Sequence, residues 1–591
     1  MATRDLCRDT FPTIESRSLK TTSARWVFPE VDQAREDELA RALGVSALAA
    51  RILVKRGYGS PEQAAAFLRP SLDALHDPFR MKGMREAAAR IARAVREREP
   101  VLLYGDYDVD GTTSIVILKR VLELAGAVCD FHVPHRLKDG YGMQPEAIRA
   151  AADAGTKLVV SVDTGIRAAE VVRYARELGV DVVVTDHHLP EAELPPAHAV
   201  LNPTQPGCEY PDKNLCGAGV AFKLAQALLA EMPFDGARAR RLTLSLLKLV
   251  AIATVADVVP LTGENRVIVK HGLSGLGESP NPGLRALLDV AGFAPGDVPT
   301  AGQVAFRIAP RINAAGRMAS ARDVIEMFLT SDGGRAKELA KQLDVLNQDR
   351  QDAEQHMLRQ AIEVCDERPV DESRRGLVFA GKDWHRGVAG IVASRLVERF
   401  WRPVFVLSID EEAGEAVGSG RSAGGFHLLE ALEAMPDVFR KFGGHKQAAG
   451  VTLPLGKLGE FERRFNEYAC ARLAPEDLCA RYEVDAVARV DEMRTEVVRD
   501  VLAMGPFGCG NPQPIVAVRG ALLPEPPSLM KERHVKFRLV QGDRLVLCKG
   551  WNWGEQIERL PSGVMLDALL ALEEDSYSAW SAVLKDVRTS E

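Results

Sequence analysis

Residues 101–111 read Val-Leu-Leu-Tyr-Gly-Asp-Tyr-Asp-Val-Asp-Gly, an apolar run that ends in three aspartates at alternate positions. The apolar run predicts a buried strand, and the glycine directly after it predicts a turn. Two further apolar runs, 158–162 and 181–185, follow along the chain, and helical patterns separate the three. Strands that alternate with helices predict a parallel sheet with helices on its faces. Ligands bind such sheets beyond the carboxyl ends of the strands.

The length of 591 residues predicts about four domains. A second α/β unit begins at Gly376, and short β runs from Tyr482 onward predict a small barrel. Residues 335–364 contain no glycine or proline and carry an apolar stripe that Arg350 interrupts, which predicts a helix ~45 Å long. We therefore expect two α/β domains joined by a long helix, followed by a β-barrel. The predicted domains are an N-terminal helical region (1–75), a first α/β domain (76–330), the connecting helix (331–366), a second α/β domain (367–471) and the barrel (472–591).

Composition indicates a globular protein, since 46% of the residues are hydrophobic and 27% are charged. The nine cysteines form no C-x-x-C pair, which argues against a zinc ribbon and favours reduced thiols. The first 25 residues lack the apolar core of a signal peptide, and Lys248 and Asp257 interrupt the most apolar stretch, 242–261. We therefore expect a cytoplasmic protein without a membrane span. The net charge of −7 gives no support for a nucleic-acid binder, but bound divalent cations would offset it.

Carboxylates and histidines follow the apolar segments at several places. They are Asp106, Asp108, Asp110, Asp163, Asp186, His187, His188 and Asp257. The carboxyl ends of parallel strands meet at one sheet edge, where crowded carboxylates raise one another's pKa values unless cations bind. Carboxylate and imidazole ligands suit Mn²⁺ or Mg²⁺, and two such ions are the usual device for activating water against a phosphate ester. Taken singly, each residue is also explained as a turn residue, a helix cap or a surface charge, but their joint occurrence argues against that interpretation.

Several of these segments resemble the motifs of the DHH phosphoesterase superfamily. The matching segments are Asp108-Val-Asp110-Gly111, Val162-Asp163-Thr164-Gly165, Asp186-His187-His188 and Asp257. Further segments are similar to the RecJ branch, the single-strand-specific 5′→3′ DNA exonucleases. They are residues 104–111, 215–223, 310–317, 384–390, 418–422 and 443–450. The resemblance runs from about Ala47 to the C-terminus, keeps the family's motif order, and implies a DHH domain, a DHHA1 nucleic-acid-binding domain and an OB-fold barrel.

The resemblance also implies roles for the acidic cluster. Asp163 would bridge two metal ions and so be essential to catalysis. The other ligands of the first ion would be Asp110, His187 and Asp257, and those of the second would be Asp108 and Asp106. Tyr104 stands where the pyrophosphatase branch has a metal-binding histidine, which leaves the second ion less well supplied. His188 would contact the scissile phosphate as a catalytic residue, and Asp186 would orient its loop.

A further set of residues is predicted to contact nucleic-acid phosphates. The set is Arg136, Arg317, Arg386, Ser419, Arg421, Gly444 and His445. Glycines 443–444 would let backbone N–H groups approach a phosphate, although without the resemblance a tight turn is the better explanation. The arginines have short neighbours that leave the guanidinium room, although a solvated charge is the ordinary role of a single arginine. We expect Arg136, Ser419 and Arg421 to form a 5′-phosphate pocket.

Aromatic side chains of the predicted barrel leave two interpretations open. Phe537, Trp551 and Trp553 either stack on the bases of a single strand or fill the core of the barrel. Both roles suit large aromatic side chains, and the sequence pattern does not decide between them.

The acidic cluster predicts two bound Mn²⁺ or Mg²⁺ ions, and the resemblance implies an exonuclease that degrades single-stranded DNA from its 5′ end, in repair and recombination. The expected partners are single-stranded DNA, a single-stranded-DNA-binding protein and a helicase, and we expect a monomer. Two alternatives remain. A phosphodiesterase of short oligonucleotides or cyclic dinucleotides would be shorter and lack the barrel. A non-catalytic single-stranded-DNA-binding scaffold would have lost metal ligands.

Overall fold

The structure is a computed structural model that describes residues 24–590, with the exception of 137, 141, 233, 423, 576 and 577. The expectation that no signal peptide precedes the first domain falls on residues 1–23 and lies outside the described residues. Within the described ranges, we find no helix with the length and apolar character needed to cross a bilayer.

Helices and strands alternate through much of the described chain. The helices are α1 (Gln33–Leu43), α2 (Ala47–Lys55), α3 (Pro61–Leu68), α4 (Met84–Glu97), α5 (Val109–Leu124), α6 (Pro145–Asp153), α7 (Ala169–Glu177), α8 (Gly217–Glu231), α9 (Gly236–Ala256), α10 (Gly263–Ser274), α11 (Pro282–Val290), α12 (Ala301–Gln303), α13 (Ala309–Met318), α14 (Arg322–Leu329), α15 (Gly333–Glu367), α16 (Ala389–Phe400), α17 (Leu428–Glu433), α18 (Leu458–Cys470) and α19 (Thr495–Leu502). The strands are β1 (Arg25–Val27), β2 (Val101–Tyr104), β3 (Cys129–His132), β4 (Leu158–Val162), β5 (Asp181–Thr185), β6 (Ala199–Leu201), β7 (Leu377–Lys382), β8 (Val404–Asp410), β9 (Glu415–Arg421), β10 (Lys441–Gly444), β11 (Ala448–Pro454), β12 (Arg481–Glu483), β13 (Ala486–Val487), β14 (Ile515–Leu523), β15 (Ser528–Met530), β16 (His534–Gln541), β17 (Arg544–Gly550), β18 (Val564–Asp575) and β19 (Ala579–Thr589).

Contacts divide the described chain into two units. The first consists of Ala65–Gln348 and Met504–Gln513, and the second of 24–64, Asp349–Ala503 and 514–590. The short segment Met504–Gln513 belongs to the first unit through hydrogen bonds. The N–H of Leu261 donates to the carbonyl of Cys509 at 2.7 Å, and the Arg266 side chain donates to the carbonyl of Met504 at 2.8 Å. A part of the chain that follows the predicted second α/β domain thus completes the first unit.

The first unit is built on a parallel five-stranded sheet in the order β3-β2-β4-β5-β6. The strands β2, β4 and β5 have the predicted bounds because continuous apolar runs fill them. The strand β6 has three residues, too few for a periodic pattern to reveal it. The helix α8 is buried along most of its length, and α5 and α9 pack against it, so the sheet edge that carries the aspartates is backed by a continuous core.

The second unit contains two sheets. A mixed sheet has the order β10-β11-β9-β8-β7, in which only β7 and β8 run parallel. A seven-stranded sheet has the order β13-β14-β18-β19-β17-β16-β15, and an additional pairing of β14 with β16 closes five of its strands into a barrel. The strand β1 pairs in parallel with β12. The predicted class, two α/β domains with a C-terminal barrel, is confirmed, whereas the domain bounds stay predictions.

The largest differences from the sequence prediction concern helix ends and late strands. The helix α15 covers 35 residues, a little more than the predicted 335–364. Arg350, which interrupts its apolar stripe, is buried and forms an ion pair with Glu354 one turn later. The sequence pattern did not predict β9, β10, β11, β18 or β19. Glycines interrupt the alternation of apolar and polar residues in β9 and β10, and charged residues interrupt it in β18.

The three barrel aromatics have different environments. Phe537 is 5% exposed and Trp553 is 7% exposed, so both fill the core. Trp551 is half-buried; its ring meets the His534 ring edge-on, and the Lys549 ammonium lies 6.0 Å from its centroid. Of the two roles left open by the sequence, base stacking or core packing, core packing is therefore the role of Phe537 and Trp553.

Candidate metal centre

The loop after β2 places three aspartates at the carboxyl edge of the parallel sheet. Asp108 caps α5, because its Oδ1 accepts the N–H groups of Asp110 at 2.9 Å and Gly111 at 3.0 Å. Gly111 permits this tight loop, since a Cβ there would lie 2.6 Å from the backbone nitrogen of Asp106. Asp106 and Asp110 are buried. Local backbone geometry thus turns the alternating aspartates of the sequence into a fixed constellation.

Two further elements fix Asp110 and Asp163. The Oδ2 of Asp110 accepts the N–H of Gly217 at 2.5 Å, and its Oδ1 accepts the N–H of Ala218 at 2.7 Å, both from the first turn of α8. Asp163, directly after β4, has a φ of 57°, which few residues other than glycine adopt. Its N–H donates to the carbonyl of Thr185 at 3.0 Å. Such backbone strain is typical of functional sites.

The loop after β5 is organised by Asp186. Its Oδ1 accepts the N–H groups of His187 at 2.8 Å and His188 at 3.1 Å, and it lies 2.7 Å from the ring Nδ1 of His188. Its Oδ2 accepts the N–H of Ile166 at 2.9 Å. The Asn202 side chain donates to the His188 carbonyl at 2.8 Å. With both oxygens engaged, Asp186 orients the loop, as the resemblance implied.

Carboxylate and imidazole atoms converge around His187. Its Nε2 lies 3.2 Å from Oδ1 of Asp163, 3.7 Å from Oδ2 of Asp110 and 3.7 Å from Oδ2 of Asp257, the residue that ends α9. Three groups have ligand atoms within 4.8 Å of one another: Asp110, His187 and Asp257; Asp106, Asp108 and Asp163; and Asp163, His187 and His188. The structure thus brings all six predicted ligands together, with Asp163 common to two groups.

The chemistry of these groups fits divalent cations. Three buried ligand atoms have no hydrogen-bond partner: Oδ1 of Asp106, Oδ1 of Asp163 and Nε2 of His187. Burial and the neighbouring carboxylates raise the pKa values of Asp106 and Asp163 well above the ordinary value, and they raise that of Asp257 to about 9. Burial lowers the pKa of His187, which favours the neutral imidazole that binds metals. Cations would satisfy the orphaned atoms and offset the repulsion that raises these pKa values.

Tyr104 does not replace the missing histidine ligand. Its side chain is fully buried at the end of β2, and its hydroxyl donates to the Gly142 carbonyl at 3.2 Å and accepts the N–H of Gln144 at 3.1 Å. Burial raises the pKa of Tyr104 to about 12, so the phenol stays protonated. The hydroxyl anchors the chain after β3 and leaves the second set of ligands to Asp106, Asp108 and Asp163.

Comparison with known proteins gives three family matches along the chain. They are the DHH family, N-terminal domain (residues 100–254), the DHHA1 domain (374–470) and the RecJ OB domain (484–583). The chain is 40% identical over 576 residues to the single-stranded-DNA-specific exonuclease RecJ of Bacillus subtilis, covering 96% of this chain and 71% of the relative. It belongs to the RecJ family. The Escherichia coli RecJ is 37% identical over 501 residues, covering 82% of this chain and 85% of the relative. The crystal structure of Thermus thermophilus RecJ in complex with Mn²⁺ matches with a TM-score of 0.81 and 32% identity, covering 96% of this chain and 80% of that chain.

The RecJ-like first unit places two predicted phosphate-binding arginines near the aspartate loop. The guanidinium of Arg136 lies over the Tyr107 ring, 5.0 Å from its centroid. Burial and the charge of Asp106 raise the pKa of Tyr107 to about 12, whereas the charges of Arg136 and Arg317 act to lower it. Both arginines thus lie close enough to the metal-binding loop for their charges to act on its tyrosine.

The remaining predicted phosphate-binding residues lie in the second unit. Arg386 is half-exposed and donates to Asp410 at 2.9 Å. Ser419 lies in the middle of the mixed sheet, on β9, and Arg421 is the last residue of that strand. The Arg421 guanidinium packs against the first turn of α16, since a Cβ on Gly390 would lie 2.8 Å from its Nη2. A guanidinium beside a helix N-terminus favours an anion at this position.

Gly444 and His445 form the turn between β10 and β11. Gly444 has a φ of 146°, and a Cβ there would lie 2.3 Å from the Ala448 carbonyl oxygen, so only glycine fits. The N–H of His445 donates to the same carbonyl at 2.8 Å. The tight turn therefore accounts for Gly444, and phosphate contact by these two residues stays a prediction.

Sequence reasoning missed three residues that shape the metal centre. Gly217 contacts Asp163, and Gly316 lies against the Tyr107 carbonyl, where a Cβ would come within 2.3 Å of the oxygen. The Oδ1 of Asn313 accepts the N–H of Val109 at 3.1 Å, between two of the aspartates. All three lie in segments that resemble the RecJ branch, 215–223 and 310–317. Small residues in these segments were the available signal, but the sequence does not say which surface they face.

Proposed function

We propose that this chain is a Mn²⁺- or Mg²⁺-dependent exonuclease that removes nucleotides from the 5′ end of single-stranded DNA, in DNA repair and recombination. The observation that carries the proposal is the cluster of Asp106, Asp108, Asp110, Asp163, His187 and Asp257, half of them buried and half partly buried, in a chain of the RecJ family. Bound cations would satisfy its orphaned ligand atoms and offset the repulsion between carboxylates that contributes to their raised pKa values. The curated relatives are named as single-stranded-DNA-specific exonucleases.

We assign the ligands by their grouping. Asp110, His187 and Asp257 would hold one ion, and Asp106, Asp108 and Asp163 the other. Because Oδ1 of Asp163 also lies 3.2 Å from Nε2 of His187, Asp163 would be shared between the two ions. Ions bound there activate water and stabilise charge on the phosphate. The chain's own contribution is to hold these ligands at fixed positions before substrate arrives, through the helix cap at Asp108 and the two N–H donors of α8.

His188 is the residue that would contact the scissile phosphate. Its side chain is 39% exposed, and its Nδ1 lies 2.7 Å from Oδ1 of Asp186. Burial opposes a charged ring, but the hydrogen bond and charge of Asp186 outweigh burial and raise the pKa of His188. A protonated imidazole donates a hydrogen bond to a phosphate oxygen and neutralises developing charge.

Recognition of a 5′ end requires contacts to the terminal phosphate. Within the first unit we assign Arg136 and Arg317 to phosphate contact. Within the second unit, taken by itself, we assign Arg386, Ser419, Arg421, Gly444 and His445 to phosphate contact. Arg421 has the best-supported environment, because its guanidinium adjoins the first turn of α16. A comparison of 5′-phosphorylated with 5′-hydroxyl strands, for the parent and for Arg421→Ala, tests this role. We expect the parent to prefer the phosphate and the variant to lose most of that preference; release of nucleotides from the 3′ end would contradict the assignment.

Two alternatives are less well supported. A phosphodiesterase of short oligonucleotides would not need the C-terminal barrel, which matches the RecJ OB domain over residues 484–583. A scaffold without activity would have no reason to keep six potential ligands in one cluster, three of which have a buried ligand atom without a hydrogen-bond partner. A single-stranded-DNA-binding protein and a helicase as partners, a monomeric state and a cytoplasmic location stay predictions.

The direct test is digestion of end-labelled DNA. Single-stranded and duplex substrates are incubated with the protein in Mn²⁺, in Mg²⁺ or in a chelator. We expect mononucleotides from the 5′ end of single strands with either metal, little release from the duplex, and none with the chelator. Metal-independent release, or equal cutting of the duplex, would refute the proposal.

A further inference from the structure

The first turn of α8 packs directly against Asp163 of the metal centre, with no room for a side chain at Gly217. A Cβ on Gly217, the first residue of the helix, would lie 2.6 Å from the Cβ of Asp163 and 2.7 Å from its Oδ1. Real side chains do not approach each other this closely, so any larger residue would displace either Asp163 or the helix. The neighbours Cys216 and Ala218 are fully buried, so the turn has no open side into which to move.

The same turn holds a second ligand. The N–H groups of Gly217 and Ala218 donate to the two carboxylate oxygens of Asp110, at 2.5 and 2.7 Å. The first N–H groups of a helix have no partner within the helix, so they are free to bind a carboxylate. The helix dipole favours a negative charge at this end. One turn of α8 therefore contacts both Asp110 and Asp163.

We propose that Gly217 is a positioning residue of the metal centre, which sets the spacing between the carboxylates of Asp110 and Asp163. The inference rests on the proposed metal-dependent function. Both carboxylates lie near His187, whose Nε2 is 3.7 Å from Oδ2 of Asp110 and 3.2 Å from Oδ1 of Asp163. An added methyl group pushes Asp163 away or lifts the α8 N–H donors from Asp110, and either movement changes this spacing.

The rest of α8 cannot adjust to relieve the strain. Lys223, on the second turn, is fully buried, forms an ion pair with Glu264 and donates to the His76 carbonyl at 3.0 Å. Glu264 also accepts the Tyr210 hydroxyl at 2.6 Å. Breaking a buried ion pair of this kind is costly, because it leaves an uncompensated charge. The strain of a substitution at Gly217 therefore falls on Asp163 and on the first turn of α8, which holds Asp110, and not on the anchored second turn.

Metal preference separates positioning from a general effect on folding. Mg²⁺ demands near-ideal octahedral geometry at short distances, so misplaced carboxylates should weaken its binding most. Mn²⁺ is larger and less demanding. A variant that only destabilises the fold would reduce activity with both ions by the same factor, whereas a positioning defect raises the ratio of Mn²⁺- to Mg²⁺-supported rates.

The experiment compares Gly217→Ala with Gly219→Ala, two residues apart in the same helix. A Cβ on Gly219 would lie 3.2 Å from the Cβ of Leu215, a contact that small shifts relieve. Both variants add one methyl group and raise helix propensity alike. Mn²⁺ affinity is measured by calorimetry on the metal-stripped full-length protein, together with cleavage of single-stranded DNA in each ion and the unfolding midpoint in chelator.

For Gly217→Ala we expect Mn²⁺ affinity to fall about tenfold or more, as for the loss of residues that orient metal ligands, and the Mn²⁺-to-Mg²⁺ rate ratio to rise. Gly219→Ala should resemble the parent in both. Parent-like Mn²⁺ affinity in Gly217→Ala, or equal losses in the two variants, would overturn the proposal. A parent that neither binds Mn²⁺ nor cuts DNA would instead refute the proposed function.

A second variant covers the case in which Gly217→Ala does not fold. Ala218→Pro removes the N–H that donates to Oδ1 of Asp110, and proline is tolerated in the first turn of a helix. The proline ring carbon takes the place of the Ala218 N–H, and no side chain is added at Gly217, the residue that packs against Asp163. We expect the same loss of Mn²⁺ affinity and the same rise in the rate ratio, and an unchanged affinity in this folded variant would equally overturn the proposal.

Discussion

The ring Nδ1 of His188 lies 2.7 Å from Oδ1 of Asp186, and the same oxygen accepts the N–H groups of His187 and His188. The carboxylate therefore fixes both the rotamer of His188 and the nitrogen that carries its inner proton. Burial acts to raise the pKa of Asp186, but the hydrogen bonds that it accepts and the charge of His188 outweigh burial and lower this pKa. The aspartate and the second histidine of the DHH motif thus form one hydrogen-bonded unit.

Asp186→Asn should move the pH dependence of cleavage. The raised pKa of His188 depends on the charge of Asp186, so the protonated ring should be lost at lower pH in the variant. Removal of an opposite charge at this distance lowers the pKa of an imidazole. We expect the alkaline limb of the kcat–pH profile in saturating Mn²⁺ to move to lower pH. The amide oxygen keeps one acceptor for the loop, and an unmoved limb would show that Asp186 has no electrostatic role.

Asp163→Ala should abolish cleavage in either metal. Residues that merely orient ligands cost about 10–100-fold when replaced, and loss of a ligand shared by two sites should cost more. The activity on single-stranded DNA is compared with that of Asp153→Ala, an exposed aspartate at the end of α6. The control should match the parent. Turnover close to that of the parent in Asp163→Ala would rule out the shared role.

The metal-free protein should lose stability as the pH rises, in part through Asp257. Its folded-state pKa of about 9, raised by burial and by Asp110 and Asp108, lies above the ordinary value for an unfolded chain. The folded state therefore binds more protons than the unfolded state between about pH 4 and pH 9, and stability falls with rising pH across that window. Asp257→Asn removes this contribution.

We expect the unfolding midpoint of Asp257→Asn in chelator to exceed that of the parent increasingly from pH 5 to pH 9. Mn²⁺ should stabilise the parent at pH 8 far more than the variant, because ligand binding to the folded state adds to its stability. Parallel midpoint curves for the two proteins across the pH range would contradict the raised pKa.

Sequence patterns predicted the sheet and the ligands for a physical reason. Buried parallel strands are continuous apolar runs, and their ends carry the reactive groups, so Asp108, Asp163 and His187 were visible as residues that follow β2, β4 and β5. The residues that hold them were not visible. Gly217 and Asn313 act from helices that reach the site only in three dimensions, and no periodicity encodes which side of a helix faces a carboxylate. The same limit applies to Met504–Gln513, whose partners lie more than 200 residues earlier in the chain.

Because Met504–Gln513 belongs to the first unit, a truncation is a poor test of the role of the barrel. A chain that ends near Ala471 would lose Cys509 and Met504, whose carbonyls accept hydrogen bonds from Leu261 and Arg266 in the first unit. Such a truncation would disturb the unit that carries the metal centre as well as removing the barrel. Point substitutions in the barrel avoid this effect.

Trp551→Ala and Trp553→Ala form a matched pair. Trp551 is half-buried beside Lys549, so its ring is accessible to a base, whereas Trp553 is 7% exposed and packs against Gly550. Loss of a base stack costs roughly 1–3 kcal/mol, so Trp551→Ala should weaken single-strand binding about tenfold with little change in unfolding midpoint. Trp553→Ala should instead lower stability by about 3–5 kcal/mol, as a cavity in the core does. Binding is measured by fluorescence anisotropy of a labelled oligonucleotide in chelator, and stability by denaturant unfolding. If Trp551→Ala binds the oligonucleotide as tightly as the parent does, Trp551 has only a structural role, like Phe537 and Trp553.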